Sequence, residues 1–220
     1  MAIDLISLRK LMQLMLASDK RRTSLLRADI TSDLRREQNG PGGGGDFHTP
    51  FWADAKGHAA DLTDLRRATP ERILAAPGRA RLYPQLTAGF LTWWEERRRR
   101  RNEPFTVDDD HIRGRLTLEG LGVVKVESTL GFSIGDDGHR VVYPYFCEEP
   151  EMTAEVARLG LWAMAQALPQ YELNDLRILD VLRSSSYSTI ESPMRGTEEE
   201  EFRALYQALT DRRQELRREY

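Results

Sequence analysis

At 220 residues the chain is long enough to bury a real core in one large domain or two small ones. With 40% hydrophobic and 30% charged residues it has the composition of an ordinary globular protein, and a formal charge of −3 excludes a global field drawing it to nucleic acid, so such binding needs a local basic patch. The single cysteine, Cys147, excludes an intramolecular disulfide partner and any Cys-rich zinc module.

The N-terminal stretch is apolar in patches, but Asp4, Arg9 and Lys10 interrupt it. It has no h-region with a small-residue cleavage site, and no segment runs 18 residues without charge, so no membrane is expected and a cytoplasmic protein is the default. Ile3, Ile6, Leu8, Leu11, Leu14 and Met15 recur at helical spacing, and Leu25, Leu26, Ile30 and Leu34 continue the pattern in a second helix. The glycine-rich stretch 39–46 (NGPGGGGD) ends it as a flexible loop. A phosphate cradle there would need a preceding strand and a following helix bearing lysine or a hydroxyl, and the sequence has neither. Thr49–Pro50 and Thr69–Pro70 each read as a helix start, N-cap then first turn. A further helix carries Leu86, Phe90, Leu91, Trp93 and Trp94 before ending on Arg97, Arg98, Arg99, Arg100 and Arg101.

From about residue 107 the character changes. HIRGRLTLEGL, GVVKVESTLGFSIG and HRVVYPYF are three runs rich in β-branched and apolar residues, punctuated by Gly120, Gly122 and GDDG (135–138), and predict an antiparallel meander. MTAEVARLGLWAMAQALP then reads as a helix, apolar nearly all round, capped by Thr153 and stopped by Pro169. DLRILDVLRSSSYSTIE returns to strand, as two short strands or one with a bend. The chain closes in an amphipathic helix after Thr197. The predicted class is α/β (α+β): a helical N-terminal half (1–106) packed with a mixed sheet of β-β-β-α-β order in 107–220, plus the C-terminal helix, all one domain.

The order over 111–190 resembles the core of PD-(D/E)XK nucleases, the RecB-like branch especially. That resemblance implies a meander with an acid on its second strand and an acid-x-lysine on its third, then a long helix crossing to a fourth strand. The acid would ligate Mg²⁺ and the lysine stabilise developing charge. On this chain VVKVESTLGFSI takes the second-strand place, with Glu127 as its acid, and HRVVYPYF the third. Tyr143 then stands where the family keeps its acid and Tyr145 where it keeps its lysine. A neutral phenol does not replace a carboxylate on a hard dication, so the resemblance implies a scaffold whose nuclease chemistry is lost. Pro144 predicts an edge strand or a bulge, whereas the resemblance implies a central strand.

Alternation gives a reading free of any family. Within 123–134, Val124, Val126, Ser128, Leu130 and Phe132 share one face, and Lys125, Glu127 and Thr129 the other. Val141, Tyr143 and Tyr145 face opposite Val142, Pro144 and Phe146. A polar face with Glu119, Lys125 and Glu127 reads as a solvated face with ion pairs, or as a site. WWEERRRRR is the nucleic-acid candidate, because aromatics stack on bases and arginines pair with phosphates. The bland reading puts a tryptophan in the core and pairs the arginines with DDD (108–110) and EEEE (198–201). His48, His58, His111 and His139 show no metal-binding spacing, Ser184–Ser186 has no nucleophile frame, and Cys147 sits where a thiol pKa is raised.

Three functions follow. The first is a non-catalytic protein, without cofactor, that binds nucleic acid or a protein partner through Trp94, Arg97–Arg101, Tyr143 and Tyr145. The second is an accessory interaction subunit with no nuclease ancestry. The third is a Mg²⁺-dependent hydrolase using Glu119, Glu127 and Asp136 or Asp137.

Overall fold

The structure, a computed structural model, describes residues 5–39, 47–99, 104–108, 112–135 and 138–220, without the side chains of 39, 98 and 99. The predicted glycine-rich loop, apart from Asn39, lies outside these residues, as do Arg100, Arg101, His111, Asp136 and Asp137. Among the described residues the chain is a mixed α/β protein of seven α-helices and two mixed sheets, closing in a C-terminal helix.

Strand β1 (Leu5–Ser7) leads directly into α1 (Leu8–Leu16), where the Ser7 hydroxyl accepts from the Lys10 N–H at 3.3 Å and so fixes the helix start. The helical periodicity therefore begins later than expected, and Ile6 belongs to a strand. Helix α2 (Asp19–Asn39) follows, then α3 (Thr49–Ala59), whose N-cap is His48 with Pro50 in the first turn. Helix α4 (Leu65–Ala75) corrects the Thr69–Pro70 start. Asp64 caps it by accepting from the Arg66 N–H at 3.0 Å, so the helix nucleates earlier and Pro70 lies inside it. Thr69 then turns its hydroxyl back to the Leu65 carbonyl at 2.8 Å. Helix α5 (Tyr83–Arg99) completes the helical portion.

The larger sheet has five strands in the order β2 (Phe105–Val107), β5 (Leu130–Ile134), β6 (Gly138–Tyr145), β7 (Leu176–Asp180), β8 (Ser185–Tyr187). All neighbours are antiparallel except β6 and β7, which run parallel across the helix α6 (Ala154–Ala167). The smaller sheet pairs β1 parallel to β4 (Gly122–Val126), and β4 antiparallel to β3 (Gly114–Leu118). The expected second strand is thus two strands in two sheets. Ser128 sits between them at φ 62°, a left-handed conformation rare outside glycine, and it turns the chain from one sheet to the other. Alternation does not carry through: Val124 and Val126 join one core, Leu130 and Phe132 the other.

Those two cores lie on opposite faces of the large sheet. On one face Val141, Tyr143, Tyr145, Leu176 and Ile178 pack with α1, α6 and α7 (Glu198–Arg217). On the other Leu130, Phe132, Val142, Phe146 and Leu179 pack with α3 and α5. Strand β6 is central, buried on both sides, as its near-continuous apolar run suits. Pro144 fits because Tyr145 directs its carbonyl to the Val181 N–H (3.0 Å), so the ring nitrogen one residue earlier points the opposite way, towards β5. Pairing with β5 ends at Val142, so no ladder bond is lost there. Helix α5 approaches the end of β7 at Gly89, where a Cβ would stand 2.0 Å from the Val181 carbonyl oxygen. Helix α6 starts and stops as its sequence predicts, with the Thr153 hydroxyl accepting from the Val156 N–H. No helix among the described residues is long and apolar enough to cross a membrane.

Candidate functional site

Of the hydrolase candidates, Glu119 and Glu127 do not converge. Glu119 follows β3 at the closed end of the β3–β4 hairpin, where Leu118 pairs with Gly122. Glu127 follows β4 at the open end, about 20 Å of strand away at roughly 3.3 Å per residue, and it pairs with Lys125 at 3.6 Å. Mg²⁺ needs its carboxylates within one coordination sphere, so these residues do not fit such an ion. Asp136 and Asp137 lie outside the described residues. Among the described residues, no group of three histidine, cysteine or acidic side chains is placed to hold a metal.

The two tyrosines stand in the interior, 3% and 0% exposed. The Tyr143 hydroxyl accepts from the Arg9 N–H at 2.9 Å, and the Tyr145 hydroxyl donates to the Pro150 carbonyl at 2.7 Å. Neither ring offers a surface to a partner, which corrects their assignment as binding residues. Tyr145 belongs instead to a closed polar cluster at the carboxyl ends of β6 and β7. Asp180, fully buried there and pushed up in pKa by that burial, accepts from Arg183 and from the Met152 N–H. Arg183 also donates to the Cys147 and Glu148 carbonyls, and Tyr187 to the Met152 carbonyl. The cluster ties segment 147–152 to the sheet. Burial likewise pushes the Cys147 thiol up, which makes it a poor nucleophile.

The arginine-rich end of α5 leads to a different place. Trp93, Trp94 and Arg97 face the large sheet, where they meet Phe132 of β5, Arg140 of β6 and Arg177 of β7 around a cavity of about 30 Å³; Phe105 and Val142 complete its wall. Sheet register makes the juxtaposition. Phe132 pairs with Arg140 and Val142 with Arg177, so both arginines project from the face that α5 covers. Nη1 of Arg140 and Nη1 of Arg177 each donate to the Asn174 carbonyl at 2.7 Å, so the two nitrogens are separated by at most twice that distance. Arg97 lies over the Trp93 ring, 5.9 Å from its centroid, and donates to the Ser186 hydroxyl at 3.1 Å.

Trp94 is 5% exposed and stacked between Phe132 (5.6 Å, 20°) and Phe90 (6.4 Å, 13°). Its faces are taken, so it does not stack on a base as expected; it and Trp93 contribute N–H groups. Neither indole N–H has a hydrogen-bond partner among the described residues, although both side chains are more than nine-tenths buried. A buried donor left unmade costs about 1–3 kcal/mol, so two of them on side chains that line one cavity call for an acceptor.

Charge points the same way. Arg177 is 8% exposed, and among the described residues no carboxylate lies within ion-pair distance of it; its Nη1 reaches only the carbonyls of Asn174 and Leu176. Burial, then repulsion from Arg140 and Arg97, pushes it down to about 10, against which Glu191 and Asp175 act weakly. Arg158, equally buried on α6, shows the contrast: Glu198 and Glu201 hold it, and its pKa is raised. That pairing also corrects the expectation that EEEE (198–201) answers the arginine run, since Glu199 is taken by Arg203. The side chains of Arg98 and Arg99 lie outside the described set.

Sequence reasoning reached Trp94 and Arg97 but missed Trp93 as a donor, Arg140 and Arg177. The available signal was the charge in the apolar strand LRILD, an inward position by alternation. Compared with models of protein families, with curated proteins and with solved structures, the chain matches none.

Proposed function

We propose that this protein binds nucleic acid without cleaving it, through the arginine–tryptophan cleft between α5 and the large sheet, in a cytoplasmic setting. The scaffold would be a PD-(D/E)XK-like one whose acid and lysine positions hold the buried Tyr143 and Tyr145. One observation carries the reading: Arg97, Arg140 and Arg177 line one cavity with Trp93 and Trp94, whose indole N–H groups have no partner among the described residues, and Arg177 lacks a carboxylate there. Such a site wants an anion. The sequence continues from Arg97 through Arg98, Arg99, Arg100 and Arg101, which favours a polyanion over an isolated ion. The reading as a protein-binding accessory subunit has one feature on its side, an apolar groove of about 760 Å³ between α4 and α5 beside the exposed Leu74.

The test is anisotropy titration of a labelled single-stranded oligonucleotide across a salt series. Arg97→Ala and Arg140→Ala should each flatten the slope of log K against log salt, by about 0.7 for every phosphate the variant no longer neutralises. An Arg140→Ala protein that binds like the parent removes the cleft from the interface, and cleavage of the bound strand in Mg²⁺ or Mn²⁺ overturns the non-catalytic reading.

A further inference from the structure

The cleft is narrower than a nucleic-acid groove, and its shape says which part of a strand it takes. Its cavity, about 30 Å³, is a few times the roughly 10–15 Å³ that one water needs, too small for a base or a sugar. What does enter is a group of a few atoms, such as the oxygens of one phosphate. Arg177 stands within, almost wholly buried, while Arg140, with 22% of its side chain exposed, and the half-buried Arg97 link the cavity to solvent. The lining therefore forms a cup: Trp93, Trp94 and Arg177 in the wall, Arg140 and Arg97 nearer the mouth.

We propose that this cup receives the terminal phosphate of a nucleic-acid strand, so that the protein recognises strand ends rather than strand interiors. The inference rests on the nucleic-acid reading above. A terminal phosphomonoester offers three unesterified oxygens and a charge of about −1.5 to −2 near neutral pH, where an internal diester offers two oxygens and a single charge. Arg140 already meets Asp175 at 4.0 Å, but Arg177, buried with no carboxylate in ion-pair distance among the described residues, favours the higher charge of the monoester. A diester must also carry a sugar on each side across the mouth, whereas a monoester carries one and reaches deeper. Aromatic stacking on the base takes no part, because Trp94 has no free face.

The experiment compares one single-stranded sequence, labelled internally, with a 5′-phosphate, with a 3′-phosphate and with hydroxyls at both ends, each titrated with the full chain at fixed salt. Inorganic phosphate serves as competitor, and tryptophan emission reports occupancy of the cup. One phosphorylated end should bind about tenfold or more tighter than the hydroxyl form. That preference should shrink between pH 7.5 and 5.5 as the monoester takes up its second proton (pKa about 6), and should vanish in Arg177→Met. Equal affinity for all three strands overturns the terminal-phosphate inference and leaves nucleic-acid binding standing. If no strand binds while inorganic phosphate still changes the tryptophan emission, both readings fall and the cup serves a phosphorylated protein or small molecule. If neither binds, both readings fall and the cup is not an anion site.

Discussion

Replacing Arg158 by methionine separates the structural arginines from the functional ones. Arg158 is 2% exposed on α6, the helix that carries the chain between the parallel strands β6 and β7. Its guanidinium holds Glu198, itself 4% exposed, and Glu201 at 2.5 Å, so one side chain pins the start of α7 against α6. Methionine keeps the stem and removes the charge. Glu198 is then left buried with backbone N–H groups, among them those of Arg195 (2.6 Å) and Gly196 (3.0 Å), and no cation. Breaking a buried pair from one side costs about 3–5 kcal/mol, a large part of the roughly 5–15 kcal/mol that holds a domain folded. For a chain of this size that is a fall in Tm of about 6–20 °C. Urea unfolding followed by tryptophan fluorescence, with the slope checked for constancy, measures it. The double variant Arg158→Met/Glu198→Met should recover most of the loss, because Glu201, 38% exposed, is then the sole carboxylate left behind and water reaches it. A single variant within about 1 kcal/mol of the parent, or a double variant no better than the single, refutes the reasoning.

Glu198 also sets an acid limb. Burial alone would raise its pKa, but the Arg195 N–H, the Arg158 guanidinium and neighbouring N–H groups outweigh it and hold the carboxyl at about 2, against an ordinary 4.5. Between those values the unfolded chain binds the extra proton, so the contribution of Glu198 is full above pH 4.5 and is lost as pH falls towards 2. Urea midpoints from pH 5 to 2.5 should fall less steeply in Glu198→Gln than in the parent; identical slopes would contradict the assignment. Gly89→Ala places a Cβ 2.0 Å from the Val181 carbonyl oxygen and must lift α5 off the sheet. A loss of about 1–3 kcal/mol is expected, together with weaker oligonucleotide binding, since Trp93 and Arg97 ride on the same helix. Gly78→Ala, with nothing within 4 Å of the new methyl, is the control.

Much of the fold was legible where one residue type decides one local event. Thr153 and Pro169 bound α6 because capping and the missing N–H are properties of those side chains. The alternation of residues 141–146 sorted Tyr143 and Tyr145 from Val142 and Phe146 onto the faces of two different cores. The three-residue strands β1 and β2 were illegible, since pairing with β4 and β5 makes them strands at all. Ser128 was illegible too: a serine does not announce a positive φ, and without it residues 122–134 read as one strand. The cleft suffered most, because Arg97, Arg140 and Arg177 come together only through sheet register and the seating of α5. Local sequence pointed to aromatic stacking by Trp94, and only the packing of Phe90 and Phe132 shows that both its faces are covered.

Arg158 and Arg177 are alike in burial and opposite in company, and that contrast yields a further test. A buried cation answered by two carboxylates serves the fold, and removing it strands its partners. One answered by carbonyls, with two other arginines close by, adds repulsion to the folded state, and its pKa is depressed by burial first and by that repulsion second. Arg177→Met gives up hydrogen bonds to two carbonyls, one of which keeps Arg140 as a donor, and relieves that charge. The variant should therefore stay within about 1 kcal/mol of the parent, or exceed it, where Arg158→Met loses about 3–5 kcal/mol. Inorganic phosphate should raise the parent's Tm by mass action on the folded state and do less in Arg177→Met, a difference that separates occupancy of the cleft from the general stabilising effect of the salt. A loss above about 2 kcal/mol in Arg177→Met would assign Arg177 to the fold, because sites shaped for binding retain groups that stability alone would discard.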